Sequence, residues 1–122
     1  MSHIVEIKTE VKSEAAVQAA CRRLELPPPV HETVRLFSET ATGYAVRLPN
    51  WRYPVVCDLT SGSLRFDTFE GAWGESRHLD AFLQAYAVEQ AKLEARRQGH
   101  SASETRLADG SIRLTISLGG AA

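Results

Sequence analysis

The chain has 122 residues, of which 43% are hydrophobic and 24% charged, the size and composition of one globular domain over residues 1–122. Its formal charge of -1 argues against a nucleic-acid-binding protein or one held on anionic membranes. No stretch approaches the roughly 20 apolar residues that span a bilayer. The N-terminus has no basic segment followed by an apolar core, so we expect a cytoplasmic protein.

The N-terminal part predicts a strand followed by a helix. Residues 3–11 alternate between apolar and charged or polar side chains, the period of a strand with one buried face. Ser13 offers a side-chain oxygen as N-cap of the helix. Apolar residues then recur at helical spacing, namely Val17, Ala20, Cys21 and Leu24. The prolines at 27–29 lack backbone donors, so we expect them to end this helix.

The central part predicts a run of antiparallel strands. The four alternating segments cover residues 33–39, 44–48, 53–59 and 63–69. Turn-forming pairs separate them, at Thr42–Gly43, Pro49–Asn50 and Ser61–Gly62. A loop that contains Trp73 follows the fourth segment.

The C-terminal part predicts a long helix and a hairpin. The helix begins at residue 77 or 78 and ends at 98, with Gly99 as its C-cap. Asp109–Gly110 joins the two hairpin strands, over residues 104–107 and 112–118. The predicted fold class is therefore α+β, a mainly antiparallel sheet with two helices packed on one face, in the order β-α-β-β-β-β-α-β-β.

No residue pattern indicates a metal site or a cofactor. Cys21 and Cys57 form no CxxC or CxxH spacing, so we predict buried, reduced thiols rather than a disulfide, a zinc site or a nucleophile. The alternative metal site is the N-terminal amine with His3. His78 is expected to be a boundary residue of the second helix rather than a base.

Catalytic patterns are also lacking. The candidates for a general acid–base pair are four carboxylates, those of Asp58, Asp67, Glu70 and Asp80. Their spacing does not bring two of them together. Ser61 lacks the glycine-flanked nucleophile pattern, and the glycines at 71 and 74 are not followed by the lysine of a phosphate loop. We therefore predict no catalytic residues.

Large aromatic residues in loops are the strongest indication of a binding site. Trp51, Arg52 and Tyr53 follow the Pro49–Asn50 break, and Trp73 lies between glycines. Such residues often anchor a protein contact, and these four are the predicted binding residues. The alternative is that they fold back and close the ends of the core. A nucleic-acid surface would need more basic residues nearby.

Several short motifs occur together along the chain. They are Met1-Ser2-His3 before a strand, the strand of Tyr53, the Gly62-Ser63 hairpin, the Trp73-Gly74 pair and Tyr86-Ala87-Val88 in the long helix. With these motifs the chain resembles the uncharacterised family of the hypothetical chloroplast reading frame thirty-five, found in plastids, cyanobacteria and other bacteria. The chain departs from the family at Cys57, where members tend to carry tryptophan, in a longer segment before Trp73, and in the prolines at 27–29.

The resemblance implies a small α+β domain without established catalytic residues. Bacterial genes of this family are associated with genes of AAA-type ATPases, which implies such an ATPase as a partner. Our first hypothesis is a non-enzymatic protein-interaction domain. The alternative is a small-ligand-binding or enzymatic domain with a site on the open sheet face, lined by Asp58, Arg65, Asp67 or His78. A homodimer formed through the edge of the 112–118 strand is a third hypothesis.

Overall fold

The computed structural model describes residues 4–8, 10–68 and 71–119. These residues form seven strands and two helices in the order β-α-β-β-β-β-α-β-β, which confirms the predicted class and order. The elements are β1 (Ile4–Lys8), α1 (Glu14–Arg23), β2 (Val30–Arg35), β3 (Thr40–Val46), β4 (Val55–Asp58), β5 (Ser63–Asp67), α2 (Ser76–Arg97), β6 (Ser101–Arg106) and β7 (Ile112–Ser117). Neither helix is long and apolar enough to cross a membrane.

The strands pair into two antiparallel sheets. The larger sheet has the order β1-β5-β4-β3-β2, and β6 pairs with β7 in a separate two-stranded sheet. In the larger sheet, Cys57 lies opposite Tyr44 on one side and Leu64 on the other. Both helices pack on the face that carries these residues. The main core includes Val17, Ala20, Cys21, Val46, Val55, Cys57, Leu64, Phe66, Leu79, Phe82 and Tyr86.

The N-terminus of α1 is fixed by two sets of hydrogen bonds. The Ser13 hydroxyl accepts the Ala16 N–H at 3.2 Å, which confirms the predicted N-cap. The Tyr86 hydroxyl accepts the N–H groups of Lys12 and Ser13, at 3.0 and 3.1 Å. It donates to the Glu10 carbonyl at 3.3 Å. The long helix α2 therefore holds the entry of α1.

The C-terminus of α1 differs from the prediction. The helix ends at Arg23, before the prolines at 27–29. Glu25 takes a left-handed conformation with φ 57°, and the Leu26 N–H donates to the Cys21 carbonyl at 2.8 Å. This geometry satisfies helix-end carbonyls in the way that glycine usually permits. The prolines therefore follow the helix end rather than cause it.

The first predicted hairpin of the sheet is shifted along the chain. The sequence predicts a strand over residues 33–39 and a turn at Thr42–Gly43, whereas the turn lies at 36–39 and Gly43 is inside β3. The Leu36 N–H donates to the Glu39 carbonyl at 2.8 Å and closes this turn. The prediction of a Thr42–Gly43 turn was wrong because glycine there permits a close approach between strands.

The pairing of β3 with β4 begins beside that close approach. β3 pairs with β2 from Thr40 to Ala45, but with β4 only from Tyr44 onward. A Cβ atom at Gly43 would lie 2.4 Å from the Cys57 carbonyl oxygen. The outer half of the β2–β3 hairpin, called the hairpin arm (residues 34–42), folds across the sheet face opposite the helices. Its apolar residues Val34, Leu36 and Ala41 form a second small core together with Tyr53 and Val56.

Helix α2 is buried on two sides. Phe82 and Tyr86 belong to the main core. Val88 and Ala95 are buried as well but lie outside that core, more than 100° around the helix from Phe82. The Gln84 amide donates to the Gly110 carbonyl of the β6–β7 hairpin at 3.3 Å. The hairpin therefore covers α2 from outside, and the helix lies between the two sheets.

A group of four charged side chains joins α1, α2 and β6. The Arg23 guanidinium donates to Glu104 at 2.5 Å and to Glu89 at 3.0 Å. The Lys92 ammonium donates to Glu104 at 2.7 Å. All four side chains are at most about a quarter exposed. Hydrogen bonds from Arg23, and then from Lys92, lower the pKa of Glu104 to about 2.

We expect Glu104→Gln to lower the free energy of unfolding by roughly 1 kcal/mol at neutral pH. Because the folded-state pKa of Glu104 lies below its usual value of 4.5, this contribution is complete above pH 4.5. It decreases as the pH falls toward about 2. Urea unfolding of the wild type and of Glu104→Gln at pH 7 and pH 3 measures the difference between their free energies of unfolding. The matched control is Glu94→Gln, which removes an exposed pair within α2. A difference that does not shrink at pH 3 would rule out this contribution.

Candidate functional site

Three of the four predicted binding residues come together on the structure. The Arg52 guanidinium lies over the Trp73 ring, with Cζ 4.9 Å from the ring centroid. The same carbon lies 5.6 Å from the centroid of Tyr53. The rings of Tyr53 and Trp73 meet edge to face at 5.6 Å. Such contacts between a cation and aromatic rings are favourable and help to hold the guanidinium beside the rings.

The hairpin arm adds a fourth residue that the sequence did not single out. The Phe37 ring lies 5.3 Å from the Trp73 ring and is 48% exposed. Phe37, Arg52, Tyr53 and Trp73 are called the aromatic cluster below, with Trp73 at its centre. The sequence predicts Phe37 within a strand over residues 33–39. Only its position in the turn at 36–39 brings it to Trp73.

Backbone hydrogen bonds hold the cluster in place. The Arg52 N–H donates to the Trp73 carbonyl at 2.8 Å. The Trp73 N–H donates to the Thr68 carbonyl at 2.8 Å, and the Gly71 N–H reaches the same oxygen at 3.0 Å. The loop that carries Trp73 is therefore tied both to the end of β5 and to the segment before β4. A surface fixed in this way loses little conformational entropy on binding.

Trp51, the fourth predicted residue, lies apart from the cluster. Its ring meets the core residue Phe66 at 5.6 Å, and its indole N–H donates to the Glu75 carbonyl at 3.0 Å. A Cβ atom at Gly74 would lie 2.5 Å from the Trp51 ring. Trp51 therefore closes one end of the core, as the alternative interpretation has it.

We expect Gly74→Ala to lower the free energy of unfolding by about 2 kcal/mol, because the added methyl group displaces the Trp51 ring from the core. Urea unfolding measures the change. The control is the same substitution in a Trp51→Leu background, where the smaller side chain leaves room and the cost should fall by more than half. Equal costs in the two backgrounds would exclude the steric explanation.

The four candidates for a ligand site on the sheet face do not share one cavity. Asp58 lines a cavity of about 340 Å³, whereas His78 lines a different one beside Leu48. Asp67 is fully buried. Arg65 forms an ion pair with Glu39 of the hairpin arm. The structure therefore separates the residues that this hypothesis grouped.

The remaining candidates for a catalytic or metal-binding role lie on α2, in the β4–β5 turn or outside the described residues. His78 lies in the first turn of α2, near the boundary that the sequence predicted. Asp80 is exposed on α2. His3 and Glu70 lie outside the described residues. The Ser61 hydroxyl accepts the N–H of the following Ser63 at 3.2 Å and so stabilises the β4–β5 turn.

Both cysteines are buried free thiols, as predicted. Burial raises the pKa of Cys21 to about 11 and that of Cys57 to about 12. A thiol with such a pKa is protonated at neutral pH and reacts slowly. The two cysteines therefore contribute to packing.

The β6–β7 hairpin carries the proposed dimerisation edge. Among the described strands, β7 pairs with β6 alone. Ile116 is 42% exposed and Leu118 is 82% exposed. The homodimer hypothesis thus has an open strand edge with apolar side chains, and the mass of the protein at high concentration tests it.

Comparisons of the chain with protein-family models, with curated proteins and with solved structures give no match. The resemblance to the family of the hypothetical chloroplast reading frame thirty-five stays a prediction. The site is therefore interpreted from its own geometry.

Proposed function

We propose that this protein is a non-enzymatic interaction domain that binds another protein through the aromatic cluster. One observation carries the proposal: the exposed Phe37 and Arg52 both pack on Trp73, at 5.3 and 4.9 Å. Tryptophan, tyrosine and arginine are the residues most enriched at the energetic centres of protein interfaces. The cluster contains one of each, with a phenylalanine beside them.

The position of the cluster supports the same function. Tyr53 also belongs to the small core beneath the hairpin arm, so the cluster has a packed base and an exposed rim. An anchor of this kind contributes to affinity because it is ordered before the partner arrives. The family resemblance makes an AAA-type ATPase the first candidate for the partner, in the cytoplasm.

Affinity capture with four tagged proteins tests the proposal. These are the wild type, Phe37→Ser, Arg52→Gln and, as a matched control, Leu118→Ser, which changes an apolar residue that is 82% exposed at the other end of the molecule. We expect the wild type and the control to retain the same protein from native lysate and the two cluster variants to lose it. Retention by all four would exclude the cluster as the interface.

The alternative function, small-ligand binding, is favoured by one separate observation. A cavity of about 340 Å³ lies beside Gly43 and Cys57. Of the residues that the structure describes, the polar side chains of His31, Asp58 and Thr60 line it, and no lysine or arginine does. Its chemistry therefore suits a neutral or cationic small molecule rather than a phosphorylated one.

A thermal-shift screen with small polyols and primary amines tests this alternative. The alternative predicts a compound that raises the melting temperature of the wild type but not that of Asp58→Asn. If the compounds that stabilise the wild type stabilise the variant equally, the cavity is not their site.

A further inference from the structure

We infer that the partner segment bound by the aromatic cluster presents a carboxylate next to an apolar side chain, and that Arg52 binds the carboxylate. This step rests on the proposed function, because it specifies the chemistry of the partner at the same surface. The inferred partner is a segment of a protein chain that carries both acidic and apolar side chains.

The contacts of Arg52 leave its charged edge available. The Arg52 guanidinium lies over the rings of Trp73 and Tyr53, with Cζ 4.9 and 5.6 Å from their centroids. A guanidinium carries five N–H donors in its plane, and these fit a carboxylate in a two-bond arrangement. In the part of the chain that the structure describes, no carboxylate lies within ion-pair distance of Arg52, and the side chain is exposed. Arg65, on the same sheet face, is already paired with Glu39.

Phe37 supplies the apolar half of the site. It touches the same Trp73 ring as Arg52 does and is about half exposed. A positive group and an apolar ring thus flank one indole. Residues i and i+2 of an extended peptide project to the same side about 7 Å apart, which lets one segment place a carboxylate at Arg52 and an apolar side chain at Phe37.

A protein carboxylate fits this site better than a nucleic-acid phosphate does. Proteins that bind nucleic acid neutralise several phosphates and show a clear basic patch. Here the formal charge of the chain is -1, and the neighbouring Arg65 is neutralised by Glu39. One unpaired arginine between aromatic rings can recognise a single anionic group, and the rings contribute apolar contact.

Three capped synthetic peptides serve as probes. Each contains one phenylalanine, and the residues two positions before and two positions after it are both glutamate, both glutamine or both lysine. Fluorescence anisotropy of labelled peptides measures their dissociation constants for the full chain, and for Arg52→Gln and Phe37→Ser. We expect the glutamate peptide to bind the wild type at least about tenfold more tightly than the glutamine peptide, with the lysine peptide weakest. Arg52→Gln should remove the difference between glutamate and glutamine. Phe37→Ser should weaken both peptides alike.

The outcomes separate this inference from the proposed function. If the wild type binds the glutamate and glutamine peptides equally, or binds neither, the carboxylate inference is overturned. The proposed function survives in either case as long as the captured protein still depends on Phe37. If a single-stranded oligonucleotide binds the wild type and loses binding in Arg52→Gln, the anionic partner is a nucleic acid and the inference fails. If the cluster variants retain the captured protein, the proposed function fails.

Discussion

Gly43→Val is expected to lower the free energy of unfolding by about 3 kcal/mol, at the upper end of the usual cost of overpacking. A Cβ atom at this position would lie 2.4 Å from the Cys57 carbonyl oxygen and 3.2 Å from a methyl group of Val56. Backbone atoms of a central strand cannot move aside, so the hairpin arm must move instead. The arm carries Phe37, and the aromatic cluster should therefore lose its exposed ring.

Urea unfolding and tryptophan fluorescence measure these two effects. Thr40→Val is the matched control because Thr40 is an exposed residue of the same strand. It should change the free energy of unfolding by less than about 0.5 kcal/mol. A Gly43→Val protein as stable as the control, with Phe37 still against Trp73, would show that the arm does not depend on the close approach.

Val88→Glu is expected to cost about 3 kcal/mol or more, because it places an unpaired charge in a buried position. Val88 is 8% exposed but lies outside the main core. The hairpin formed by β6 and β7 covers that side of α2. The charge should therefore separate the hairpin from the helix before the rest of the domain unfolds.

The preceding residue supplies the control. Ala87 is exposed on the same helix, so Ala87→Glu should change the free energy of unfolding by less than about 0.5 kcal/mol. Hydrogen exchange of the β6 and β7 amides reports the release of the hairpin directly. Equal effects of the two substitutions would contradict the arrangement in which α2 lies between two sheets.

Local chemistry allowed much of the fold to be predicted. Ser13 caps α1, and Gly99 follows the end of α2 with φ 83°. Gly110 turns the last hairpin with φ 91°. Each of these signals depends on residues within a few positions along the chain. The element order follows from such signals, and the structure confirms it.

Features that depend on distant contacts were not predictable in this way. Gly43 was interpreted as a turn because its contact with Cys57 is not visible along the sequence. The sequence predicted the helix α2 without indicating that Val88 and Ala95 are buried on a second side of it, which the β6–β7 hairpin covers. In each case tertiary packing overrode the local pattern.

The sequence predicted only part of the candidate site, because the rest of it depends on contacts between distant residues. Loop position alone indicated Arg52, Tyr53 and Trp73, and the structure brings these three together. Nothing in the sequence linked Phe37 to Trp73, since that contact depends on the turn at 36–39. Trp51 shares the loop signal but packs on Phe66 instead. Large aromatics in neighbouring loop positions can therefore have different structural roles.

The most direct test of the interaction surface is the dissociation constant of the purified captured protein for the wild type, Phe37→Ser and Leu118→Ser, measured by calorimetry. Phe37 is half exposed, so its substitution should leave the free energy of unfolding within about 0.5 kcal/mol of the wild type. We predict that Phe37→Ser weakens binding at least about tenfold, a loss near 1.4 kcal/mol, while Leu118→Ser binds like the wild type. A dissociation constant unchanged by Phe37→Ser would contradict the assignment of the aromatic cluster as the interface.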